Sequence, residues 1–339
     1  MSKKPQKFID SHVHLLSPQV AFDRFYDRLA LFFFAKSLGA DPEQLRKRPY
    51  ETYVKTLIDS IRNSAYIHQV ALFPVDFCVD RKGRETHRDR TVCSSTEDVL
   101  FVYRKYPELI IPFMSVNPLR PDALERIDRY VEEGCRGAKL LQNYWGVDLN
   151  DVSLAPYFEK LRDHGIPVVI HIGSEYSISS TAAYEGMDML RQSLDLGVIT
   201  IAAHMGLGRM CNGVKFWRNF SSNPDWFDAD YHSLLQWMER HDNLYGDLAA
   251  MLVPMRARAL RYLSSQTHIH HKLLFATDYP VPFTVRLNTL DLPWKEKKRI
   301  SRLINSFDRY AEVIINYFPP ESPLYSNAEK LLKLTGRLH

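Results

Sequence analysis

Histidines and one aspartate stand where predicted strands end. The chain contains 13 histidines, and His12 and His14 follow the first apolar segment with one residue between them. On an extended chain both imidazoles point the same way, so both can reach one ion. His171, His204 and Asp278 end three further predicted strands. Because an H-x-H pair also occurs in ordinary strands, it is the whole set that predicts a metal site.

The chemistry that this set favours is the activation of water by a divalent ion. Three imidazoles and one carboxylate suit Zn²⁺, with Mn²⁺, Fe²⁺ and Co²⁺ as alternatives. Such an ion lowers the pKa of bound water from 15.7 to about 7. Asp278 could take the proton of that water, and the histidine that does not bind the ion could polarise a carbonyl or hold an oxyanion. Burying these polar groups unpaired would otherwise destabilise the fold.

Eight short apolar strands alternate with amphipathic helices and bring these residues together. The predicted strands cover 7–10, 69–73, 109–114, 137–141, 167–171, 198–202, 244–247 and 272–276. Apolar runs without alternation indicate parallel strands that are buried on both faces. Eight βα units predict an α/β fold, the closed (β/α)₈ TIM barrel, whose active site lies at the C-terminal ends of the strands. An open doubly wound sheet is the alternative, but no glycine-rich turn follows the first strand.

One connection is much longer than the others. Helices predicted over 21–37 and 42–64 fill the space between the first two strands, so we expect residues 18–66 to form a helical insertion over the barrel mouth. A helix opening at Pro121 is expected to bury Leu124, Ile127 and Val131. Further helices are predicted over 187–196, 231–240, 254–263 and 294–317. No linker interrupts the chain, so residues 1–339 are expected to form a single domain.

Composition and charge exclude several classes of protein. Of 339 residues, 45% are hydrophobic and 25% charged, which is typical of a globular protein and excludes a disordered chain. The net charge of +4, from 44 basic and 40 acidic residues, predicts no nucleic-acid partner. Four cysteines without a regular framework favour a reducing compartment. With no apolar signal segment and no run long enough to span a membrane, we expect a cytoplasmic protein without a membrane partner.

Short motifs along the chain resemble the amidohydrolase superfamily, in the branch that includes aminocarboxymuconate-semialdehyde decarboxylase. The matching segments, between residue 8 and about residue 283, are Phe8-Ile9-Asp10-Ser11-His12-Val13-His14, Gly137-Ala138-Lys139-Leu140, Val169-Ile170-His171, Ala203-His204-Met205-Gly206 and Leu274-Phe275-Ala276-Thr277-Asp278-Tyr279-Pro280. The resemblance implies a barrel with one catalytic metal per chain. It implies His12, His14, His171 and Asp278 as ligands, with Asp278 and the neighbouring His204 in catalysis. Members of this branch often form homodimers, which the resemblance gives as one option here.

Charged residues around the predicted site are candidates for binding substrate. Lys139 ends the fourth strand, where other branches of the superfamily place a carboxylated lysine between two metals. We favour one metal, with Lys139 as a cation that holds a substrate carboxylate or a nearby acid. Arg209 and Arg286 follow the sixth and eighth strands and are expected to bind a carboxylate. Asp247 ends the seventh strand and is expected to orient a metal ligand.

Aromatic residues in the loops after the fourth and sixth strands are expected to wall the pocket. They are Tyr144, Trp145, Trp217, Trp226 and Phe227. The remaining histidines are interpreted as structural. His268, His270 and His271 precede the eighth strand and so lie at the opposite end of the barrel, and His164 lies near a helix C-terminus.

Three functions remain in competition. The first is a metal-dependent hydrolase that cleaves an amide, ester or lactone of a small molecule bearing a carboxylate. The second is a non-oxidative decarboxylase that uses the same site on a carboxylated aromatic or muconate-like substrate. Many decarboxylases of this branch have glutamate where this chain has His12, although the aminocarboxymuconate enzyme also has H-x-H. The third is a non-catalytic scaffold, yet no ligand position is lost here.

Overall fold

Eight parallel strands form the centre of the structure, a computed structural model. The structure describes residues 7–20, 34–80, 82–86, 93–174, 180–207, 225, 227–253, 256, 259–285 and 292–332. The strands are β1 (Phe8–His14), β2 (Ile67–Phe73), β3 (Ile110–Met114), β4 (Gly137–Leu140), β5 (Val168–Ile170), β6 (Thr200–Ala202), β7 (Leu244–Asp247) and β8 (Leu273–Leu274). They neighbour one another in chain order. The predicted TIM barrel is therefore confirmed.

The barrel closes through hydrogen bonds between β1 and the chain after β8. The Ser11 amide donates to the carbonyl oxygen of Phe275 at 3.0 Å, and the Asp278 amide donates to that of His12 at 2.9 Å. One step further along, the His14 amide donates to the Tyr279 carbonyl oxygen at 2.8 Å. We call this set of bonds the β1–β8 seam. It joins the first strand to the last and lies beside the predicted metal ligands.

Helices surround the barrel. They are α1 (Pro42–Lys47), α2 (Pro49–Asn63), α3 (Thr96–Lys105), α4 (Ala123–Glu132), α5 (Gln142–Trp145), α6 (Ala155–Asp163), α7 (Arg191–Asp195), α8 (Ala229–Arg240), α9 (Leu260–Ser265), α10 (Trp294–Ile300), α11 (Ser306–Tyr317) and α12 (Asn327–Leu331). Residues 34–38 are also helical. Short 3₁₀ turns cover Val152–Leu154, Ala182–Tyr184, Met187–Leu190, Ala203–Gly206, Thr267–Lys272 and Pro323–Tyr325. A small antiparallel pair, Cys78–Val79 and Glu85–Thr86, follows β2.

The strands bury side chains on both faces, as the apolar runs predict. One buried cluster, which includes Ile9, Phe73 and Phe113, fills the barrel interior, and a larger one packs the outer face of the strands against the helices. Gly137 starts β4 where the Phe113 ring needs room: a Cβ atom there would lie 2.0 Å from a ring carbon of Phe113. Ala328 of α12 belongs to the inner cluster. Helix α12 therefore covers the end of the barrel opposite the predicted site.

The helices differ from the sequence-based prediction in three places. The single helix predicted over 42–64 is wrong, because the chain breaks at Arg48 into α1 and α2. Pro49 lacks an amide hydrogen and disfavours helical geometry in the residue before it, and Arg48 has a φ of −141°. The helix predicted over 294–317 is likewise two helices, since the side chain of Asn305 caps the start of α11. Residues 187–196 begin as a 3₁₀ turn and become helical only in α7.

The apolar face predicted for α4 is also partly wrong. Ile127 is fully buried, but Leu124 is 36% exposed. Ala123 and Tyr130 are buried instead, so the face that packs on the barrel is rotated from the predicted one. Of the helical insertion, residues 21–33 lie outside the described part of the chain. Among the helices that are described, none has the length and apolarity needed to cross a membrane.

Candidate metal centre

Three of the predicted ligands come together at the C-terminal ends of β1 and β8. His12 Nε2 lies 3.1 Å from His14 Nε2. Asp278 Oδ1 lies 3.5 Å from His12 Nε2 and 3.4 Å from His14 Nε2. We call these three atoms the donor triangle. His12 and Asp278 are buried, whereas His14 is partly exposed and so faces the open side of the site.

The donor triangle fits a divalent ion. A tetrahedral zinc ion with bonds of about 2.0–2.1 Å separates neighbouring donor atoms by about 3.3 Å, and the three edges of the triangle lie close to that value. Imidazole nitrogens and carboxylate oxygens are also donor types that such ions prefer. Within the described residues, His12, His14 and Asp278 are the one group of this kind.

Asp247 orients His12. Its Oδ2 atom lies 2.7 Å from His12 Nδ1, while its Oδ1 atom accepts hydrogen bonds from the backbone amides of His204 and Ala249 at 2.9 and 3.1 Å. With its proton on Nδ1, His12 presents the Nε2 lone pair to the donor triangle. Burial, followed by the charge of Lys139, holds the pKa of His12 well below its ordinary value.

His204 and His171 lie beside the donor triangle with their tautomers set by backbone carbonyls. His204 Nδ1 is 3.1 Å from the carbonyl oxygen of Ala249, and His171 Nε2 is 3.0 Å from that of Gly173. A carbonyl oxygen only accepts, so these nitrogens carry the protons and the opposite ring nitrogens keep lone pairs. The two rings are 4.9 Å apart between centroids. Burial, then Lys139, lowers the pKa of His171 to about 3, and burial also lowers that of His204.

The charge of Asp278 is favoured by its surroundings. Burial alone would raise the pKa of this carboxyl, but His12 and His14 lower it more, so the pKa lies below its ordinary value. The second oxygen, Oδ2, lies 3.9 Å from His204 Nδ1. Asp278 and His204 have φ angles of 65° and 61°, in the left-handed region that residues other than glycine seldom adopt. Such geometry persists where the surrounding fold enforces it, and it concentrates at functional sites.

Lys139 lies on β4, near the donor triangle. It is fully buried, and its Nζ atom is 5.8 Å from the centre of the Phe73 ring. Its charge is among the causes that lower the pKa values of His12 and His171. The substrate-binding role predicted for Lys139 stays a prediction.

The predicted pocket residues are only partly described. Tyr144 and Trp145 are buried in α5, where the Tyr144 hydroxyl lies 3.3 Å from Cys93 Sγ and Trp145 Nε1 donates to the Asp76 carbonyl oxygen at 2.8 Å. Both residues therefore join the loop after β4 to the loop after β2. Phe227 packs on Tyr231 of α8. The predicted site residues Arg209, Arg286, Trp217 and Trp226 lie outside the described residues.

Three residues near the centre were missed by the sequence analysis. Asp10 accepts hydrogen bonds from the Thr277 hydroxyl at 2.6 Å and from the His12 amide at 3.1 Å, and burial raises its pKa to about 7. Gln142 Nε2 donates to the His171 carbonyl oxygen at 2.6 Å. The third residue, Arg256, is buried beside the loops that follow β5 and β6. Asp10 lies inside the first motif of the resemblance, and Arg256 lies inside the helix predicted over 254–263. In the structure α9 begins at Leu260, and residues 254, 255, 257 and 258 lie outside the described part of the chain.

Fold and donor set together define a class: a TIM-barrel enzyme with a divalent-metal centre at the C-terminal ends of its strands. The chain belongs to the amidohydrolase family, whose family model matches residues 9–284. No curated protein matches the chain.

Solved structures share the barrel at low sequence identity. A TIM-barrel protein from Bordetella bronchiseptica is 20% identical, with a TM-score of 0.60 over 98% of this chain and 100% of the other. The 2,6-dihydroxybenzoate decarboxylase from Rhizobium is 15% identical, with a TM-score of 0.53 over 98% and 100%. The 5-carboxyvanillate decarboxylase from Novosphingobium aromaticivorans, solved with bound manganese, is 14% identical, with a TM-score of 0.52 over 97% of both chains. At these identities the likeness establishes the common fold.

Proposed function

We propose that this protein is a metal-dependent hydrolase that cleaves an amide, ester or lactone bond of a small, carboxylate-bearing molecule. The observation that carries the proposal is the donor triangle, with edges of 3.1 to 3.5 Å and a carboxylate whose pKa is lowered. One ion per chain would be held by His12, His14 and Asp278, with His171 as a further ligand. Zn²⁺ suits this set, and Mn²⁺, Fe²⁺ and Co²⁺ are alternatives.

The side chains divide the work of hydrolysis between them. A bound divalent ion would supply an activated water and a Lewis acid for the carbonyl. Asp278 accepts a proton from the attacking water and returns it to the leaving group as the bond to the carbonyl carbon breaks. His204 offers an unprotonated Nε2, because Nδ1 donates to Ala249, so it accepts a hydrogen bond from the water or the substrate. Asp247 keeps the His12 ring in place throughout.

A second candidate is a non-oxidative decarboxylase, which is favoured by the names of two similar structures, the dihydroxybenzoate and carboxyvanillate decarboxylases. In that reaction the bond between a ring carbon and its carboxylate breaks, carbon dioxide leaves, and a proton is added to the same ring carbon. Asp278 would deliver that proton. The bound manganese of the carboxyvanillate enzyme also supports Mn²⁺ as an ion for this site.

A single substrate panel separates the two candidates. Purified protein loaded with zinc or manganese is incubated with carboxylate-bearing amides, esters and lactones, and with hydroxybenzoates, in H₂¹⁸O and in D₂O. Hydrolysis puts ¹⁸O into the released acid, whereas decarboxylation releases carbon dioxide and puts deuterium on carbon. We expect ¹⁸O incorporation that is lost in Asp278→Asn and kept in Asp188→Asn, an exposed aspartate far from β8 in the sequence. Deuterium on carbon without ¹⁸O in the product would refute the hydrolase proposal and support the decarboxylase. Full activity of Asp278→Asn would contradict both proposed functions.

A further inference from the structure

A buried arginine lies between the two loops that follow the histidine-bearing strands β5 and β6. Arg256 is 5% exposed. Its Nε atom donates to the Leu207 carbonyl oxygen at 3.2 Å, and its Nη2 atom donates to the Ser174 carbonyl oxygen at 3.4 Å. Ser174 is three residues beyond His171, and Leu207 is three residues beyond His204. The guanidinium therefore lies at the same end of the barrel as the donor triangle.

Among the described residues Arg256 forms no direct ion pair, although its charge is among the causes that act to lower the pKa values of Asp278 and Asp247. In the part of the chain that the structure describes, no carboxylate oxygen lies within 4.0 Å of its nitrogens, and its hydrogen bonds go to neutral carbonyls. A guanidinium has five N–H donors, so these two bonds leave others available. A buried charge is costly unless an opposite charge pairs with it. After burial, Arg256 is the next cause of the low pKa of His204, so its field reaches the candidate site.

A second polar group beside Arg256 has no hydrogen-bond partner among the described residues. Ser174 is 4% exposed, and its hydroxyl makes no hydrogen bond with any described residue. Nearly all buried polar atoms in native proteins are hydrogen-bonded, so such a hydroxyl calls for an explanation. The backbone carbonyl of the same residue accepts from Arg256. Within the described part of the chain, a buried hydroxyl without a hydrogen-bond partner thus stands next to a guanidinium without a direct ion pair.

The backbone around these two groups is fixed before any ligand arrives. Gly173 has a φ of 97°, and a Cβ atom there would lie 2.4 Å from the Leu207 carbonyl oxygen. The two loops are therefore in direct backbone contact, which only glycine permits at this point. The Gly173 amide also donates to the Glu185 carbonyl oxygen at 2.9 Å. Arg256 and Ser174 are held by this contact and would lose little freedom on binding.

We propose that Arg256 and Ser174 form a subsite for the carboxylate of the substrate, on the side of the donor triangle where His171 and His204 lie. A guanidinium fork and a hydroxyl donor match the two oxygens of a carboxylate, and the ligand supplies an anion in direct contact with the guanidinium. This inference rests on the proposed function, because it names the substrate class of the same site. It assigns carboxylate recognition to a residue other than the predicted Arg209 and Arg286.

Binding of benzoate, with neutral benzamide as its matched analogue, tests the subsite. Calorimetric titrations use the full chain, both stripped of metal by a chelator and loaded with zinc. Benzoate is expected to bind the metal-free protein, and Arg256→Gln is expected to weaken it by about tenfold or more, the usual effect of losing a charge-assisted hydrogen bond. Ser174→Ala should weaken benzoate by about threefold, and Arg256→Lys should retain part of the affinity. Benzamide should bind weakly to every form, and Arg46→Gln, an exposed arginine in α1, should match the wild type.

The outcomes of this experiment are distinct from those of the substrate panel. Equal benzoate affinity in wild type and Arg256→Gln, or equal affinity for benzoate and benzamide, would overturn the subsite. If Arg256→Gln does not fold, Ser174→Ala decides, and unchanged benzoate binding in that variant overturns it too. Hydrolysis of a carboxylate-bearing substrate with unchanged KM and kcat in Arg256→Gln would overturn the subsite and leave the proposed function intact. Benzoate binding that needs Arg256 supports the subsite even where the panel shows no hydrolysis.

Discussion

Replacing Asp247 with asparagine should weaken metal binding although all three residues of the donor triangle are kept. The carboxylate accepts from His12 Nδ1 at 2.7 Å on one oxygen and from two backbone amides on the other. An asparagine has a single acceptor oxygen, so in either orientation its NH₂ group faces a donor. The alternative tautomer of His12 relieves the clash but puts a proton on Nε2, the atom that the ion needs.

The magnitude follows from what such partners contribute in metal proteins. Losing the carboxylate behind a ligating histidine costs about 10–100-fold in metal affinity, which is about 1.4–2.7 kcal/mol. We expect that loss in Asp247→Asn when zinc is partitioned between the protein and a chromophoric chelator at pH 7. Asp188→Asn is the matched control and should bind as the wild type does. Thermal unfolding of the metal-free proteins shows whether the variant is folded. Wild-type affinity in folded Asp247→Asn would refute the role assigned to this carboxylate.

Two further predictions concern the stability of the barrel. Ile127→Ala removes a fully buried side chain of α4 and should lower the free energy of unfolding, measured with urea, by about 2–5 kcal/mol. Leu124→Ala, on the exposed side of the same helix, should lower that free energy by less than half as much. Equal losses would contradict the observed helix face. Ser95→Ala removes the side-chain cap of α3 and should cost about 1 kcal/mol by the same measurement, with no comparable loss in exposed Ser153→Ala. An unchanged urea midpoint in Ser95→Ala would show that the cap does not stabilise the helix.

The barrel and the neighbourhood of its site could be predicted from the sequence because strand patterns are local. The apolar runs predict where strands end, and parallel strands of a barrel end on one face, so His12, His14 and Asp278 had to meet. The orientation of each imidazole is not a local property. His204 illustrates this, because its Nδ1 atom meets the carbonyl oxygen of Ala249, which lies 45 positions further along the chain.

The residues that were missed depend on partners far along the chain. Asp10 is satisfied by Thr277, which lies 267 positions away, and no pattern around Asp10 indicates such a bond. Arg256 lies within the helix predicted over 254–263, and a helical pattern indicates neither its burial nor its contacts with the loops after β5 and β6. The break between α1 and α2, by contrast, has a local signal in the sequence. Pro49 restricts the backbone of the residue before it, which marks the end of α1.

The β1–β8 seam has a consequence for how the protein matures. The donor triangle straddles it, with two donors on the first strand and the third, Asp278, just beyond the last. A ribosome has therefore to make nearly the whole barrel before the three donor atoms can meet, and the nascent chain carries its histidines without their carboxylate until then. A metal ion supplied to the growing polypeptide would find no complete site before Asp278 is in place, so metal binding is expected to be a late event that follows closure of the barrel.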